Sequence, residues 1–379
     1  MRVLLTGGGT SGHVNPALAI ADIIKIHDPT AHIAYIGTDR GIEKKLVEKE
    51  FYPFYSINIR GIKRSLSPSN IKTAYTILTA PRKAKKIIEE FRPDVVIGTG
   101  GYVCWPPLKA AAEMGIPTVI HESNACPGLA VKKLEGKVDL ILTNFSSTKK
   151  YLENKEKAVN VGNPVRMSFG EVDRKDARLR LGIPDEIKFV ILSFGGSLGA
   201  PKLNEAAIDV MKGFAKDRGD VMCVHAGGRN NYQSALEIFQ SQGLGGSSRL
   251  VLKDYIYDMS TYMAAADLVI CRAGAMTLTE IAMMNKAAIL VPSPYVTDNH
   301  QYKNAKALAD KGAAVLMEEK NMTPRSICDA VEKIYSDEEY ANGMRQRVGM
   351  FASADTSERI YEEIIKLIRN KSKIKIKGK

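Results

Sequence analysis

The sequence predicts an α/β protein made of two similar halves, each with a parallel sheet. Two observations support this fold class. A short pattern occurs twice, at residues 3–13 and 189–200: an apolar run, a glycine-rich turn with a hydroxyl residue, and the start of a helical pattern. In addition, strand-like and helix-like segments alternate along the chain, which is typical of parallel sheets with helices on both faces.

The predicted elements can be followed in order along the chain. After the first glycine-rich turn, strand-like runs at 32–36, 95–97, 118–120 and 140–143 alternate with helix-like segments such as 43–49 and 107–114. A polar stretch that ends at Lys188 lacks a strand pattern, and we interpret it as the connection between the halves. The alternation resumes at Phe189, with strand-like runs at 221–225, 250–252, 268–270, 288–291 and 314–316, and amphipathic helices from about Thr323.

The composition is that of a globular protein. Of the 379 residues, 45% are hydrophobic and 25% are charged, and this length predicts two or three domains. No apolar stretch reaches about 18 residues, and the N-terminus leads directly into a strand pattern, so we expect a cytosolic protein without a transmembrane helix or a signal peptide. The five cysteines form no C-x-x-C pair, and we expect free thiols rather than disulfides or a zinc site.

The net charge of +12 indicates an anionic partner, which could be a nucleic acid, a phospholipid surface or a phosphorylated substrate. Residues 60–92 contain nine basic and two acidic residues, with apolar residues between them. This mixture suits a lipid headgroup boundary, and an ordinary helix with a solvated face is the alternative. Nucleic acid is disfavoured because no aromatic platform accompanies the charge. A second basic run, 366–379, is interpreted as a frayed tail or a membrane-attracted segment.

The glycine-rich turns are candidate anion sites, since backbone N–H groups at a helix start attract negative charge. Neither turn is a Walker A loop. Gly7, Gly9 and Gly12 match the dinucleotide fingerprint, but the nearest suitable acid, Asp39, comes about 27 residues after Gly12, so a nicotinamide enzyme is poorly supported. The imidazole of His13, directly after the turn, either points into an interdomain cleft or caps the helix start.

A departing diphosphate would have to be neutralised by the protein's own groups, since the chain has no Asp-x-Asp pair. The second glycine-rich turn, Arg166 and the turn 272–277 are available for this purpose. Glu280 follows one helical turn later. Its carboxylate either accepts the two hydroxyls of a ribose or complements the helix dipole.

Seven motifs in order carry a resemblance to a known family. They are Gly8-Gly9-Thr10-x-Gly12-His13-Val14-x-Pro16-Ala17, Gly98-x-Gly100-Gly101-Tyr102, His121-Glu122-x-Asn124, Gly162-Asn163-Pro164-Val165-Arg166, Gly195-Gly196-Ser197-x-Gly199-Ala200, Cys271-Arg272-x-Gly274-Ala275 with Thr277 and Glu280, and Gln301-Tyr302-x-Asn304-Ala305. Together they closely resemble the MurG family of peptidoglycan glycosyltransferases, from Val3 to about Asn304.

The resemblance implies a GT-B fold, with two Rossmann-like domains facing a deep cleft. The implied domains are 1–163 on the acceptor and membrane side, 164–355 for the donor UDP-N-acetylglucosamine, and 356–379 for a helix that returns to the first domain plus a basic tail. The implied reaction is an inverting transfer of N-acetylglucosamine to the 4-hydroxyl of the muramyl sugar of lipid I. Lipid II and UDP are the products, in the peptidoglycan synthesis that underlies cell shape and division.

Carried over position by position, the resemblance implies a donor site. Its residues are Thr10, Ser11, Gly12, Asn124, Arg166, Ser197, Ile256, Ala275, Met276, Thr277, Leu278, Thr279, Glu280 and Gln301. Asn124 and Gln301 reach the donor sugar, Arg166 and Ser197 approach the diphosphate, and Ile256 holds the uracil through its backbone. The run from 275 to 280 covers the phosphate and the ribose.

The transfer needs a base for the acceptor hydroxyl and stabilisation of the leaving UDP. We expect His13 to be the base or its closest partner. Glu122 is the rival, and its alternative role is a structural hydrogen bond to its neighbours. Four positions depart from the residues frequent in the family: Ser123, Leu198, Met276 and His300.

The implied acceptor is embedded in a membrane, which favours the lipid interpretation of the basic segment. The expected membrane and acceptor residues are Ile62, Lys63, Arg64, Leu66, Ile71, Lys72 and Tyr102. We expect a peripheral protein on the cytoplasmic face of the cell membrane. Its expected partners are UDP-N-acetylglucosamine, lipid I and anionic inner-leaflet lipids, with other cell-wall or division proteins as further candidates and no nucleic acid. No cofactor is expected to be required, and assistance by Mg²⁺ is left open.

Three competing functions remain at this stage. One is another GT-B protein, such as a different UDP-sugar transferase or a UDP-N-acetylglucosamine 2-epimerase. The second is a non-catalytic, membrane-associated sensor of UDP-sugars, which would bind the donor without turnover. The third is a dinucleotide oxidoreductase, which NAD binding would identify.

Overall fold

The computed structural model describes residues 1–61, 69–296, 299–352 and 355–377. The chain divides into two compact units, Met1–Arg166 with Ala354–Lys379, and Met167–Ser353. The sequence-based boundaries lie two or three residues away, at 163/164 and 355/356. Each unit contains one fully parallel sheet with helices between its strands, so the predicted α/β fold class is confirmed.

The first unit is built on a seven-stranded sheet. Its strands are Arg2–Thr6 (β1), His32–Gly37 (β2), Phe54–Ser56 (β3), Val95–Gly98 (β4), Thr118–Glu122 (β5), Leu140–Thr143 (β6) and Ala158–Asn160 (β7). Its helices up to residue 166 are Ser11–His27 (α1), Ile42–Lys49 (α2), Ser69–Phe91 (α3), Trp105–Glu113 (α4) and Leu129–Leu134 (α5). The strand order is β3-β2-β1-β4-β5-β6-β7.

Both faces of this sheet are covered, which explains the continuous apolar run in β1. Val3 and Leu5 pack on one face with the apolar side of α1, and Leu4 packs on the other face with α3 and α4. Alternate residues of one strand therefore serve two separate core layers. The strands β2 and β4 pair with opposite edges of β1. Successive strands are therefore added first on one side of β1 and then on the other, so the strand order reverses there.

The second unit repeats this plan with six strands. They are Phe189–Phe194 (β8), Val221–Ala226 (β9), Leu250–Lys253 (β10), Leu268–Cys271 (β11), Ala287–Leu290 (β12) and Val315–Leu316 (β13), in the order β10-β9-β8-β11-β12-β13. Its helices are Ser168–Glu171 (α6), Arg174–Arg180 (α7), Pro201–Val210 (α8), Tyr232–Ser241 (α9), Met259–Ala265 (α10), Ala275–Met283 (α11), His300–Ala309 (α12), Pro324–Ser336 (α13) and Glu338–Gly349 (α14). The strand order reverses at β8, which has β9 on one side and β11 on the other.

The final helix, Thr356–Lys377 (α15), belongs to the first unit. Ile360 and Ile364 are fully buried in the same core layer as α1. Tyr361 stacks on His27 at the end of α1, with ring centroids 4.2 Å apart. The helix continues to Lys377, so the prediction of a frayed tail from residue 366 onward is wrong for the residues described.

Sequence patterns missed four short elements, the strands β3 and β7 and the helices α6 and α7. Strands β3 and β7 have three residues each and lie at the two edges of their sheet, where few positions need to be apolar. Helices α6 and α7 occupy the stretch interpreted as a connection, and they belong to the second unit. In the part of the chain that the structure describes, no helix is both long and apolar enough to span a membrane.

Candidate functional site

In the first unit, the candidate site lies at the carboxyl end of β1, where the sheet order reverses. In open parallel sheets this is the usual place for a ligand. The glycine-rich turn after β1 and the turn after β4 meet there, and buried side chains fix both. The hydroxyl of Tyr35 donates to Gly7 O at 2.8 Å, and the hydroxyl of Thr99 donates to His13 O at 2.5 Å.

His13 lies in the first turn of α1 and is half-buried. Its Nδ1 is 3.2 Å from Gly8 O and 3.2 Å from the hydroxyl of Thr10. A carbonyl oxygen can only accept, so Nδ1 carries the proton in the bond to Gly8. In the neutral ring Nε2 is then the nitrogen with the lone pair, as a general base requires.

The second turn leaves room for this ring. Gly100 and Gly101 have φ values of 104° and 75°, in the left-handed region that favours glycine. A Cβ on Gly100 would lie 2.8 Å from Cδ2 of His13, and one on Gly101 would lie 2.1 Å from Gly8 O. The imidazole therefore sits directly against a bare backbone. Tyr102, a predicted acceptor-side residue, follows this turn and is partly exposed beside Gly9.

Glu122 at the end of β5 is buried, and both of its oxygens accept hydrogen bonds. Oε1 accepts from the backbone N–H and the side-chain amide of Asn124, at 2.8 Å and 3.1 Å. Oε2 accepts from the backbone N–H of Gly128 at 2.7 Å. Burial raises the pKa of this carboxyl, and the three donors oppose that rise. Glu122 thus organises the turn and orients Asn124, which favours His13 over Glu122 as the base.

Arg166, which is predicted to approach the UDP diphosphate, forms two ion pairs within the first unit. Its Nε donates to Asp22 at 2.7 Å and its Nη2 lies 2.9 Å from Glu50. Burial disfavours the charged guanidinium, but the two carboxylates outweigh this effect and the pKa of Arg166 is raised. The contact of Arg166 with the diphosphate stays a prediction, and to make it the guanidinium would share its charge with these two carboxylates.

The other residues predicted for the first unit divide into two groups. Thr10, Ser11 and Gly12 begin α1 and are exposed or half-buried, so their backbone and hydroxyl groups are accessible. The membrane residues Ile62, Lys63, Arg64 and Leu66 lie outside the described part of the chain. Ile71 and Lys72 belong to α3, but the structure does not describe their side chains.

In the second unit, the glycine-rich turn after β8 packs against the end of β9. Gly196, Gly199 and Gly228 have φ values of 90°, 83° and 80°. A Cβ on Gly228 would lie 2.1 Å from the backbone nitrogen of Gly199, so the two turns touch through their main chains. Ser197 is half-buried in the first of these turns, and its carbonyl accepts from the backbone N–H of Arg229 at 3.3 Å.

Helix α11 starts after β11, the neighbour of β8, and presents its N-terminus at the same edge of the sheet. The side chains of Met276 and Leu278 are buried, so these residues offer a ligand only their backbone. Ala275 is also buried, Thr277 is half-buried, and the hydroxyl of Thr279 donates to Ala275 O at 3.0 Å. The helix start is therefore a set of N–H groups rather than of side chains.

Glu280 is the exception in this helix. The residue is 9% exposed, and among the described residues its carboxyl has no hydrogen-bond or ion-pair partner. Burial raises its pKa to about 7. A buried acid without a donor is costly, and a ligand that brings hydroxyl donors would relieve that cost.

Two further predicted contacts of the second unit involve backbone groups. Ile256 has a buried side chain, and neither its backbone N–H nor its C=O is hydrogen-bonded within the described chain. Gln301, in α12, accepts from the backbone N–H of Ser293 at 2.9 Å and so holds the preceding loop.

The positive groups near these turns are not equally available. Arg272 is paired with Glu319 and donates to Val291 O at 3.1 Å. Arg229, by contrast, lies over the ring of Tyr255, with its Cζ 4.8 Å from the ring centroid. Sequence reasoning missed Arg229, although a pair of glycines directly after a strand pattern was the available signal.

Comparison with known proteins agrees with this two-part arrangement. The model of the glycosyltransferase family 28 N-terminal domain matches residues 3–143, and that of the family 28 C-terminal domain matches residues 190–360. A UDP-N-acetylglucosamine--N-acetylmuramyl-(pentapeptide) pyrophosphoryl-undecaprenol N-acetylglucosamine transferase of Acetivibrio thermocellus is 41% identical over 98% of this chain and 100% of its own length.

Solved structures give the same picture. MurG of Acinetobacter baumannii superimposes with a TM-score of 0.70 at 29% identity, covering 96% of this chain and 99% of that one. A UDP-GlcNAc 2-epimerase from Neisseria meningitidis reaches a TM-score of 0.69 over 97% of this chain and 100% of that one, but at 17% identity. The second likeness therefore shows only a shared fold.

Proposed function

This chain belongs to the MurG family, and we propose from that premise that it transfers N-acetylglucosamine from UDP-N-acetylglucosamine to the muramyl sugar of lipid I. The observation that carries this function is the near full-length identity of 41% to the Acetivibrio thermocellus transferase. The sites add a chemical reason, because one unit offers a base and the other a carboxyl and N–H groups suited to a nucleotide.

The chemistry is a single in-line displacement. The oxygen of the acceptor 4-hydroxyl attacks the anomeric carbon of the donor sugar, while the bond from that carbon to the diphosphate oxygen breaks. The electron pair leaves with UDP, and the hydroxyl proton passes to Nε2 of His13. Attack from the face opposite the leaving group inverts the anomeric centre, so an α-linked donor gives a β-linked product.

Neutralisation of the departing UDP rests mainly on main-chain groups. Arg166 and Arg272 are engaged in ion pairs. On this proposal the N-terminal end of α11 and the backbone of the turn 195–199 face the diphosphate, with Arg229 as a nearby cation. Glu280 accepts the ribose hydroxyls, and the backbone of Ile256 recognises the uracil. On this proposal no metal is required, and turnover should be the same with EDTA as with added Mg²⁺.

A transfer assay tests the function directly. The protein is incubated with radiolabelled UDP-N-acetylglucosamine, with and without a lipid I analogue, and the products are separated. Label in the disaccharide-lipid together with acceptor-dependent release of UDP supports the proposal. Conversion of the donor to UDP-N-acetylmannosamine without acceptor would indicate an epimerase. Donor binding without any turnover would indicate a sensor.

We further propose that the protein works at the cytoplasmic face of the membrane, held there by the basic-apolar segment that includes Ile62, Leu66 and Ile71. The lipid-linked acceptor and the net charge of +12 support this location. We also propose that the protein contacts other cell-wall or division proteins and contributes to cell shape through them.

Co-sedimentation with vesicles tests the membrane surface. The triple variant Lys63→Glu, Arg64→Glu, Lys72→Glu should lose binding to anionic vesicles, and binding of the unmodified protein should fall with salt. A matched control reverses three exposed charges of the second unit, Lys216, Lys320 and Arg325. Equal binding by both triple variants would assign the attraction to overall charge and contradict the proposed surface.

A further inference from the structure

Glu43 is a fully buried carboxylate that the proposed mechanism does not use. It lies in the first turn of α2, and its side chain points to the glycine-rich turn after β1. Its Oε1 accepts from the backbone N–H of Thr38 at 3.1 Å and from the hydroxyl of Thr38 at 2.5 Å. Its Oε2 lies 3.4 Å from the backbone N–H of Gly9, which donates to it.

Three glycines hold this carboxyl in place. A Cβ on Gly8 would lie 2.8 Å from Cδ of Glu43, and one on Gly37 would lie 2.8 Å from its Cγ. A Cβ on Gly41 would lie 2.0 Å from Oε2. At these three positions only bare backbone fits beside the side chain of Glu43, so the position of its carboxylate relative to the Gly8–Gly9 peptide is closely defined.

One peptide group joins Glu43 to His13. The N–H of Gly9 donates to Glu43, and the C=O of the same peptide, on Gly8, accepts from Nδ1 of His13 at 3.2 Å. A carboxylate on the N–H end of an amide makes its carbonyl oxygen a stronger acceptor, because hydrogen bonds in a chain polarise one another. The carboxylate and the imidazole are thus coupled through a single amide.

We propose that Glu43 is a positioning residue that acts on His13 through the Gly8–Gly9 peptide. It fixes the ring, keeps the proton on Nδ1 and makes Nε2 a better proton acceptor. A directly bonded carboxylate performs this task in many histidine-dependent sites. The inference rests on the proposed role of His13 as the base of the transfer reaction.

The competing explanation is purely local, namely that Glu43 ties the loop 38–41 to the start of α2. The two bonds to Thr38 would satisfy that role without any effect on His13. The two explanations differ in the pH dependence of the reaction. The other titratable groups here are Tyr35, Tyr102 and Cys104; burial raises the pKa of each, that of Cys104 to about 12, so they stay uncharged near neutral pH.

The first experiment compares Glu43→Gln with the unmodified protein in the transfer assay over a range of pH. We expect kcat to fall by about 10- to 100-fold, KM for UDP-N-acetylglucosamine to stay within about twofold, and the acidic limb of the kcat profile to move to lower pH. The direction follows because loss of the negative charge disfavours the imidazolium. Asp39→Asn, which removes an exposed carboxylate near the same loop, should leave the acidic limb in place.

Two controls separate the outcomes. Thr38→Val disturbs the local tie but not the peptide, so a change equal to that of Glu43→Gln would overturn the proposal. In a His13→Ala background, Glu43→Gln should cause no further loss, because its effect passes through the missing ring. A further equal loss there would show that Glu43 acts in another way. An unmodified protein that lacks transfer activity would contradict the proposed function instead.

A spectroscopic measurement does not depend on the variant being folded. In the unmodified protein labelled with ¹⁵N-histidine, the neutral ring of His13 should carry its proton on Nδ1, with His13→Ala used to assign the signal. A neutral ring protonated on Nε2 would overturn the proposal, whatever the activity of the variants.

Discussion

Two buried glutamates, one in each unit, show how differently a carboxyl can be used. Glu122 accepts three hydrogen bonds from its own turn, so both of its carboxylate oxygens have donors without a ligand. Glu280 has no such partner among the described residues, and burial alone raises its pKa to about 7. The sequence motifs placed both residues in the site but left two roles open for each, because the choice depends on which N–H groups the folded backbone brings near each carboxyl.

Because the carboxyl of Glu280 has no partner among the described residues, we expect it to lower the stability of the folded protein and to favour the binding of UDP. Its pKa is about 7 when folded against 4.5 ordinarily, so the unfolded chain ionises first as pH rises and the folded state loses about 3 kcal/mol by pH 8. Glu280→Gln should therefore be more stable than the unmodified protein at pH 8 and equally stable at pH 4. Urea unfolding at the two pH values measures this, and equal stability at pH 8 would contradict it.

The same variant should bind UDP less well, because in the proposed function the carboxylate accepts the ribose hydroxyls. We expect the affinity of the unmodified protein for UDP to increase as pH rises through 7, and that of Glu280→Gln to be weaker and insensitive to pH in this range. Calorimetric titration with UDP measures both. An unchanged affinity in the variant would remove Glu280 from the nucleotide site.

His13→Ala is the corresponding test in the first unit. Loss of a general base lowers turnover by roughly 10²- to 10⁴-fold, and because the proposed nucleotide contacts lie in the second unit, UDP affinity should change little. Glu122→Gln keeps one oxygen for the donors of Asn124 and should be much the milder change. If Glu122→Gln were the more damaging of the two, the assignment of the base would be reversed.

At the scale of elements, the strand-turn-helix repeat is where sequence reasoning succeeded. Fully buried parallel strands are uniformly apolar, so the predicted runs at 95–97, 140–143 and 221–225 fall on real strands. The short edge strands β3 and β7 of the first sheet lack that signal. The ion pairs of Arg166 and Arg272 could not be predicted either, since their acidic partners lie far away in the sequence.

The contact between the two glycine turns of the second unit can be tested with one methyl group. Gly228→Ala would place its Cβ 2.1 Å from the backbone nitrogen of Gly199, so the turn after β8 must move and UDP affinity should fall at least about tenfold. Gly243→Ala is the matched control. It also has a positive φ, of 66°, but no atom within 4 Å of the new Cβ.

Both alanine variants carry the backbone strain of a left-handed residue, about 1 kcal/mol. Only Gly228→Ala adds a clash. If titration with UDP showed the same small change for the two variants, the packing of the turns would not control the nucleotide site.

At the scale of the whole molecule, each unit contains a fully buried histidine in its sheet, His121 in β5 and His225 in β9. Burial lowers the pKa of both to about 4. Below pH 6.5 these two histidines bind protons in the unfolded chain but not in the folded units. The free energy of unfolding therefore falls between pH 6.5 and pH 4. The loss is about 2 kcal/mol per histidine between pH 7 and pH 5.

Replacement of these residues should reduce the acid sensitivity. His225→Gln removes one titrating group, and the difference in unfolding free energy between pH 7 and pH 5 should shrink by about 2 kcal/mol. His32→Gln, at an exposed position, is the control and should leave the difference unchanged. A similar slope in all three proteins would assign the acid sensitivity to other groups.

The return of α15 to the first unit has a consequence for biosynthesis. Residues 1–166 leave the ribosome about 190 residues before Ile360 and Ile364, which complete their core layer beside α1. At 5–20 residues per second this is a delay of roughly 10–40 s. During that interval α1 can pack on the sheet through Val3 and Leu5, but the part of its surface that contacts α15 stays uncovered until the final helix is made.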